Sequence, residues 1–266
     1  MDSKVKMFYN PSTPIYARGK YDSFLLLKFY QEEIFRDYFL DGKLYMRQHA
    51  EFARKELGKG RSDYTEGADF AVLPLNKRTF PDVRFRTIDS GEVYVEVTEY
   101  TEKPANYQEN QLLIHHPIQS QYRNIFSMYT MWCNTNKDLI CNIDVDNMKS
   151  FGEYGILILD THTFFDRVSL AASNESTVRQ MNCGFVNYIE DKNVMNFDPF
   201  KKRADDFSWQ NEFRFCAETD NTNLLELDAH ISFRDIAMPI RLKEFADTIS
   251  LKSRKFNFKA DVTNTR

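Results

Sequence analysis

The stretch FDPFKKRADDFSWQNEFRF, Phe197 to Phe215, gathers residue types that do chemistry. Read as an extended strand, it places Ser208, Gln210, Glu212 and Arg214 on one face and Trp209, Asn211, Phe213 and Phe215 on the other. The aromatic face suits a core. The opposite face sets an amide, a carboxylate and a guanidinium in a row, more polarity than solvation requires. Two readings stand side by side: an edge strand with a wet polar face, or a cleft into which Gln210 and Glu212 point together.

Other candidate groups are sparser. Asp63 and Glu66 lie three apart in GRSDYTEG, between glycines. Such a pair caps a following element, or holds a Lys or Arg of a phosphate-binding cleft in place. Asp144 and Asp146, in DVDN, are the one carboxylate pair suited to a metal-dependent nuclease or hydrolase. They read better as a turn after a strand. His115-His116 lack HExxH geometry, and Cys133, Cys141, Cys183 and Cys216 have no CxxC spacing. Neither a metal site nor a disulfide scaffold is expected, and free thiols in a reducing cytosol are the default.

The elements that must position these groups are mostly strands. SFLLLKFY (23–30) is a short apolar run of strand or helix character. In QEEIFRDYFLDG (31–42), Ile34, Phe35, Tyr38 and Phe39 make a helical face, and Gly42 sits where that helix stops. KLYMRQ returns to alternation. Strands are also expected in ADFAVLPL, VRFRTI, EVYVEVTEY, LICNIDV, YGILILD, CGFVNYIE and WQNEFRFCAE, and LLELDAHISFRDIAMPIRL closes the sheet. NIFSMYTMWC is almost wholly apolar and reads as a buried strand or helix. THTFFDRVSLAAS reads as a helix with Thr161 as N-cap and Phe164, Phe165, Val168 and Ala171 inward. FKKRADDF reads as a helical turn. Residues 101–123 form a polar excursion.

The 266 residues bound the organisation: an irregular arm over 1–22, a single domain over 23–250 and a polar, basic tail over 251–266. Apolar residues make up 42%, with 23 Phe and 14 Tyr, enough for a core and for aromatic pocket walls. A net charge of −4 provides no global pull toward nucleic acid, so any RNA contact must come from local clusters such as FARKELGKGR and PFKKR. No signal peptide and no membrane-length apolar run is present, so a soluble, cytoplasmic protein is expected.

Several segments carry further information by their order: LLLKFY with Lys28-Phe29, DGKLYM over Gly42 to Met46, SDYTEG with Asp63 and Glu66, SMYTMW and GEYGILI, FVNYI, and PFKK followed by WQNEFRF. In this order, over about residues 24 to 240, the chain resembles a broad family of bacterial proteins of uncharacterised function. Their layout is similar to the ADP-ribosyltransferase fold, which puts a basic or aromatic residue on the first strand and a Gln/Glu-x-Glu motif on a late one. Gln210-Asn211-Glu212 matches that motif. The Ser-Thr-Ser motif of the fold is absent, and Lys28 stands where a His or Arg is usual.

The resemblance implies an α+β domain with a strand-rich, mixed, split sheet and short peripheral helices. It implies an enzyme that moves ADP-ribose from NAD, its substrate and sole cofactor. Glu212 would hold the ribose 2′-hydroxyl and stabilise an oxocarbenium-like transition state, and Gln210 would orient the acceptor. The remaining NAD contacts are assigned to Lys28, Arg47 and Arg214, with Arg61 a weaker candidate, for phosphate and positioning. Phe29 or Tyr45 would stack, and Asp63 and Glu66 fill the loop motif. The family is also similar to anti-phage toxins of this fold, one of which modifies messenger RNA within a toxin–antitoxin–chaperone system. RNA is therefore the expected acceptor, and an antitoxin or chaperone the expected protein partner. A protein acceptor, or a non-enzymatic binding or sensor module, are the alternatives. Each residue also has a plain reading: Glu212–Arg214 as a surface pair, Lys28 as an edge-strand guard, Tyr45 and Trp132 as core.

Overall fold

Strong alternation in the sequence becomes strand, and the longest strands gather in one sheet. A computed structural model describes residues 7–10, 23–53, 68–72, 84–85, 94–97, 112–115, 122–134, 139–140, 144–189, 198–220 and 224–246. Its strands are β1 (Met7–Asn10), β2 (Ser23–Tyr30), β3 (Lys43–Gln48), β4 (Ala68–Val72), β5 (Arg84–Phe85), β6 (Tyr94–Val97), β7 (Leu112–His115), β8 (Arg123–Asn134), β9 (Leu139–Ile140), β10 (Tyr154–Ile158), β11 (Val178–Phe185), β12 (Asn187–Ile189), β13 (Lys201–Arg203), β14 (Glu212–Thr219), β15 (Leu224–Asp228) and β16 (Ala237–Arg241). Among the described residues, two helices reach eight residues, α1 (Glu33–Leu40) and α2 (Thr161–Asn174). The class is α+β, strand-rich and largely antiparallel, with few short helices.

Ten strands form one sheet with the path β1-β11-β14-β8-β2-β10-β16, and β3 and β9 also pair with β8 while β15 pairs with β3. All its ladders are antiparallel except β1–β11. The twelve-residue β8 is the hub. Its register with β14 runs from Arg123 to Tyr129, with β2 from Tyr129 to Cys133, and with β3 at Asn124 and Ile125. One edge of β8 is thus shared end to end by β2 and β3, and α1 bridges them. Strands β4–β7 form a separate four-stranded sheet, and β12 and β13 pair parallel to each other.

One face of the main sheet carries Phe213, Phe215, Phe126 and Phe24. Over it lies α2, with Phe164 edge-on to Phe215 at 5.7 Å and Phe165 stacked on Phe213 at 5.3 Å. The buried positions Phe164, Val168, Ala171 and Ala172 recur at helical spacing, which is why this segment folds as a helix against the sheet. Its N-cap is Asp160 rather than Thr161. The Asp160 carboxylate accepts from the Thr163 N–H at 3.0 Å and the Thr163 hydroxyl at 2.6 Å, an arrangement open to a carboxylate one residue before the first turn.

The α1 face differs from the sequence reading. Phe39 and Leu40 are buried, while Ile34, Phe35 and Tyr38 are 48%, 45% and 39% exposed. A two-turn helix reaches the core only through its last turn, where Phe39 stacks on Phe126 at 5.7 Å and meets Phe233 at 5.2 Å. Gly42 does end α1. Its φ is +98°, and its N–H donates to the Phe39 carbonyl at 2.9 Å. A Cβ there would lie 2.5 Å from the Ile231 carbonyl oxygen.

Other expectations resolve as follows. SFLLLKFY and NIFSMYTMWC are strands, and Trp132 is core at 4% exposure. YGILI forms β10, one strand in from the β16 edge, whereas only Leu139–Ile140 of LICNIDV is strand. Within the arm expected to be irregular, Met7–Asn10 is a strand beside β11. Asp144 caps a helical turn by accepting from the Asn147 N–H at 3.0 Å, and Asp146 pairs with Lys149 at 2.7 Å. The tail 251–266 lies outside the described residues.

Candidate functional site

The second face of the main sheet is where the polar residues of the opening stretch collect. On β14 it carries Glu212, Arg214, Cys216 and Glu218. Register places these opposite Tyr129, Ser127, Ile125 and Arg123 of β8. A chain excursion then covers the face. After β12 the chain returns at Asp198, where the Phe200 N–H donates to the Asp198 carboxylate at 2.9 Å. It forms β13 and a helical turn (Ala204–Phe207), then a 3-10 turn (Ser208–Gln210). Asn211 follows in the left-handed region at φ 42°, and β14 begins. Asn tolerates that conformation better than most residues.

That left-handed residue changes the sequence reading. Strand alternation starts at Glu212, not at Trp209, so only Phe213 and Phe215 of the expected aromatic face lie in it. Trp209 packs instead on Phe151, with ring centroids 5.7 Å apart. The Asn211 amide donates to the Tyr129 hydroxyl at 3.2 Å.

Gln210 and Glu212 nevertheless meet, through a residue the sequence reading did not single out. The Lys202 Nζ donates to Gln210 Oε1 at 2.8 Å and to Glu212 Oε1 at 2.9 Å. Arg214 Nε donates to Glu212 Oε2 at 2.6 Å, and Arg214 Nη1 to the Pro199 carbonyl at 2.6 Å. The Glu212 carboxylate thus uses one oxygen on each cation. The Glu212 N–H donates to the Tyr188 hydroxyl at 2.9 Å. Relative exposures of Lys202, Gln210, Glu212 and Arg214 are 4%, 2%, 9% and 1%, so the cluster is an interior one and not a surface pair. The Phe207 ring, 4.4 Å from Lys202 Nζ, forms part of its cover. Arg214 fits there because its register neighbours are Gly184 on β11, with no side chain, and Ser127 on β8, with a small one.

The other expected site residues distribute unevenly. Lys28 belongs to the opposite face. Register aligns Leu27 with Tyr129 and Tyr129 with Glu212, so Lys28, one residue on, points away from Glu212. Its Nζ donates to the Ser127 carbonyl at 2.6 Å and lies 4.6 Å over the Phe126 ring. Nor is it an edge guard, since β2 lies between β8 and β10. Lys28 and Glu212 therefore do not line one cleft.

Phe29 is on the Glu212 side by register, but its ring occupies the space over Gly155, where a Cβ would lie 2.6 Å from Phe29 Cε1. It is core. Tyr45 is opposite Glu226 on β15 and 6.5 Å from the Tyr38 ring. Burial, then the Glu226 carboxylate, raises its hydroxyl above the usual tyrosine range. Arg47 is exposed, 3.9 Å from Glu51, and opposite Ile125. That row meets β14 at Cys216, four residues and roughly 13 Å along the strand from Glu212. Asp63, Glu66 and Arg61 lie outside the described residues. Gln210, Glu212 and Arg214 come together, with Lys202 added.

A shallow cavity of about 250 Å³ opens farther along the same face, beyond Pro199, lined by Arg123, Asn182, Asp198, Phe200, Cys216 and Glu218. Arg123 and Glu218 lie 3.7 Å apart within it. The Cys216 thiol is pushed up to about 12 by burial, which removes it as a nucleophile near neutrality. Among the described residues, no group of three His, Cys, Asp or Glu side chains is arranged to hold a metal ion, and no helix is long and apolar enough to cross a membrane. Lys202 was legible as the second lysine of PFKK, but a basic run signals a solvated or phosphate-facing patch before a buried one. Comparison with protein-family models, with curated proteins and with solved structures gives no match for this chain.

Proposed function

We propose that the protein is an NAD-dependent ADP-ribosyltransferase acting as a cytoplasmic anti-phage toxin. The observation that carries this reading is the meeting of Gln210 and Glu212 at Lys202 Nζ, at 2.8 and 2.9 Å. The resemblance of Gln210-Asn211-Glu212 to the late-strand motif of that fold calls for an amide and a carboxylate at one spot. The sharing of one β8 edge by β2 and β3 is compatible with the split sheet of such enzymes.

In the proposed reaction the bond between ribose C1′ and the nicotinamide nitrogen breaks, and nicotinamide leaves with the bonding pair. Positive charge builds on the ribose. Glu212 stabilises it and accepts a hydrogen bond from the 2′-hydroxyl, a charge placed before the reaction begins. Gln210 orients the acceptor, whose nucleophilic atom bonds to C1′ and gives up its proton to solvent water. Arg214 holds Glu212 from the other side.

The acceptor assignment to RNA rests on the resemblance. The PFKK cluster contributes less to it than its sequence implies, because Lys202 is turned inward and Lys201 lies 3.6 Å from Asp198. A second reading, a binding or sensor module on this fold, is favoured by one observation: both Glu212 oxygens are already engaged by cations.

The deciding experiment incubates labelled NAD with purified protein and either total cellular RNA or lysate, wild type beside Glu212→Gln. Label on RNA that is lost in the variant supports the transferase and its acceptor class. Label on protein keeps the enzyme and discards RNA. With folded protein, no label transfer and no nicotinamide release leaves the binding module.

A further inference from the structure

Lys202 donates to both members of the Gln210–Glu212 pair. We propose that it is a positioning residue, tying the Gln210 amide to the Glu212 carboxylate so that the two face a substrate as one fixed unit. The inference rests on the transferase reading for its catalytic consequence, but the tie itself has a readout of its own.

The geometry limits what else Lys202 can do. Lys202 is 4% exposed, and its ammonium is engaged by Gln210 and Glu212. It accepts nothing, since an ammonium is donor only. By donating to Gln210 Oε1 it fixes which end of that amide is turned toward Lys202, and the Gln210 N–H2 group is turned the other way. By donating to Glu212 Oε1 it leaves Oε2 to Arg214. Without Lys202, Gln210 stands on a 3-10 turn and Glu212 on a strand, separated by the left-handed Asn211. Backbone periodicity no longer aligns them there, as it would within one strand. The side-chain tie replaces the alignment that the backbone gives up. Among the described side chains, Glu212 is faced by Lys202 from β13, Arg214 from β14, Tyr129 from β8 and Tyr188 from β12. Lys202 also holds Gln210 through a hydrogen bond between side chains.

Two arms test it on the full chain. The first measures nicotinamide release for wild type, Lys202→Met and Lys202→Arg, each checked for native circular dichroism. The expected result for Lys202→Met is a kcat about 10²-fold lower with KM for NAD held within about twofold, the pattern of lost transition-state positioning. Lys202→Arg, which keeps two donors and the charge, recovers part of that loss. A Lys202→Met enzyme with wild-type kcat overturns the proposal, as does one whose loss lies wholly in KM.

The second arm needs no activity. The Gln210 side-chain amide is followed by NMR in glutamine-labelled protein, assigned by its loss in Gln210→Ala. Glu212→Asp moves that resonance in a Lys202 background and leaves it in place in Lys202→Met, because the tie carries the effect. If the shift is the same with and without Lys202, the tie does not exist. A wild type that releases no nicotinamide sinks the transferase reading, and the second arm then decides whether Gln210 and Glu212 form one unit.

Discussion

Removing one charge from the Lys202–Glu212–Arg214 cluster is costly in a way that can be worked from the structure. Side-chain exposures are 4% for Lys202, 10% for Glu212 and 1% for Arg214. Glu212→Gln keeps the shape of the side chain but leaves two buried cations without their shared carboxylate. Breaking a buried pair this way costs about 3–5 kcal/mol. Lys202→Met leaves Glu212 with Arg214 still 2.6 Å away, so it costs less than Glu212→Gln. Total stability for a domain is about 5–15 kcal/mol, so either change is a large fraction of it. At about 2–4 °C per kcal/mol for a chain of this size, Glu212→Gln lowers Tm by roughly 6–20 °C. The double variant Lys202→Met/Glu212→Gln removes one stranded cation together with the carboxylate. Its cost falls short of the sum of the single changes by about 0.5–3 kcal/mol. Urea unfolding followed by circular dichroism and tryptophan fluorescence measures all four proteins. Single changes that add to within about 0.5 kcal/mol would refute the reasoning, because additivity means the two side chains do not touch. The same numbers bear on the transfer assay: loss of activity in Glu212→Gln counts only at a temperature where that variant is shown to be folded.

The Asp160 cap gives a pH prediction. Hydrogen bonds from the Thr163 hydroxyl and N–H hold its carboxyl below the usual aspartate range, so the folded state favours the charged form. Its contribution is present above the unfolded value of about 3.9 and is lost as pH falls through the lower folded value. Asp160→Ala therefore costs about 1 kcal/mol at neutral pH, and the gap from wild type closes in unfolding titrations carried below about pH 4; a gap that persists unchanged in acid contradicts the cap. The cysteines give another. Burial pushes the Cys183 and Cys216 thiols up to about 12. In native protein at pH 8, iodoacetamide leaves both unmodified by mass spectrometry while Cys133, half-buried, reacts, and all three label in urea; native labelling of Cys216 as fast as in urea would show that its sheet face is uncovered.

Strand content was legible because period-2 alternation is a backbone property that tertiary packing reinforces. KLYMRQ and the FRFCAE part of the opening stretch kept it, and SFLLLKFY, a plain apolar run, also folds as strand. Face assignment held less well, for local reasons. Ile34, Phe35 and Tyr38 fit a helical stripe, but a two-turn helix spanning β2 and β3 has room on the sheet for one turn only. Trp209 and Gln210 fit a strand, but the left-handed Asn211 rotates them out of it, and a single Asn inside an alternating run is a weak signal of that turn. Lys28 illustrates a third limit. It was placed with Glu212 by the order of motifs along the chain, whereas which face of the sheet it joins depends on a register that order does not specify. A shift of one residue moves every side chain to the other face. Lys202 was missed because basic runs are read as surface by default, and only the position of its carboxylate partner reverses that.

The burial of Glu212 and that of Lys202 are one fact seen from two strands. A carboxylate on the inner strand of a sheet with both faces covered must bring its counter-charges with it, since an unpaired buried charge is far more costly than a paired one. Arg214 meets the need from two residues along the same strand, and its second bond, to the Pro199 carbonyl, fastens the start of the covering excursion. Lys202 meets it from the excursion itself and fastens the middle. Gln210, at the excursion's end, is fastened to the same ammonium. The cover over this face is therefore held at three points by the polar residues it hides, and an apolar replacement of the cluster would keep neither the register of the cover nor the placement of Gln210 against Glu212. Filling the interior alone asks only for neutral packing, which Met, Leu and Phe supply at least as well as charges do. Keeping an amide, a carboxylate and two cations at this one place is the physical reason to look for chemistry here and not in the charged but looser cavity beside Cys216.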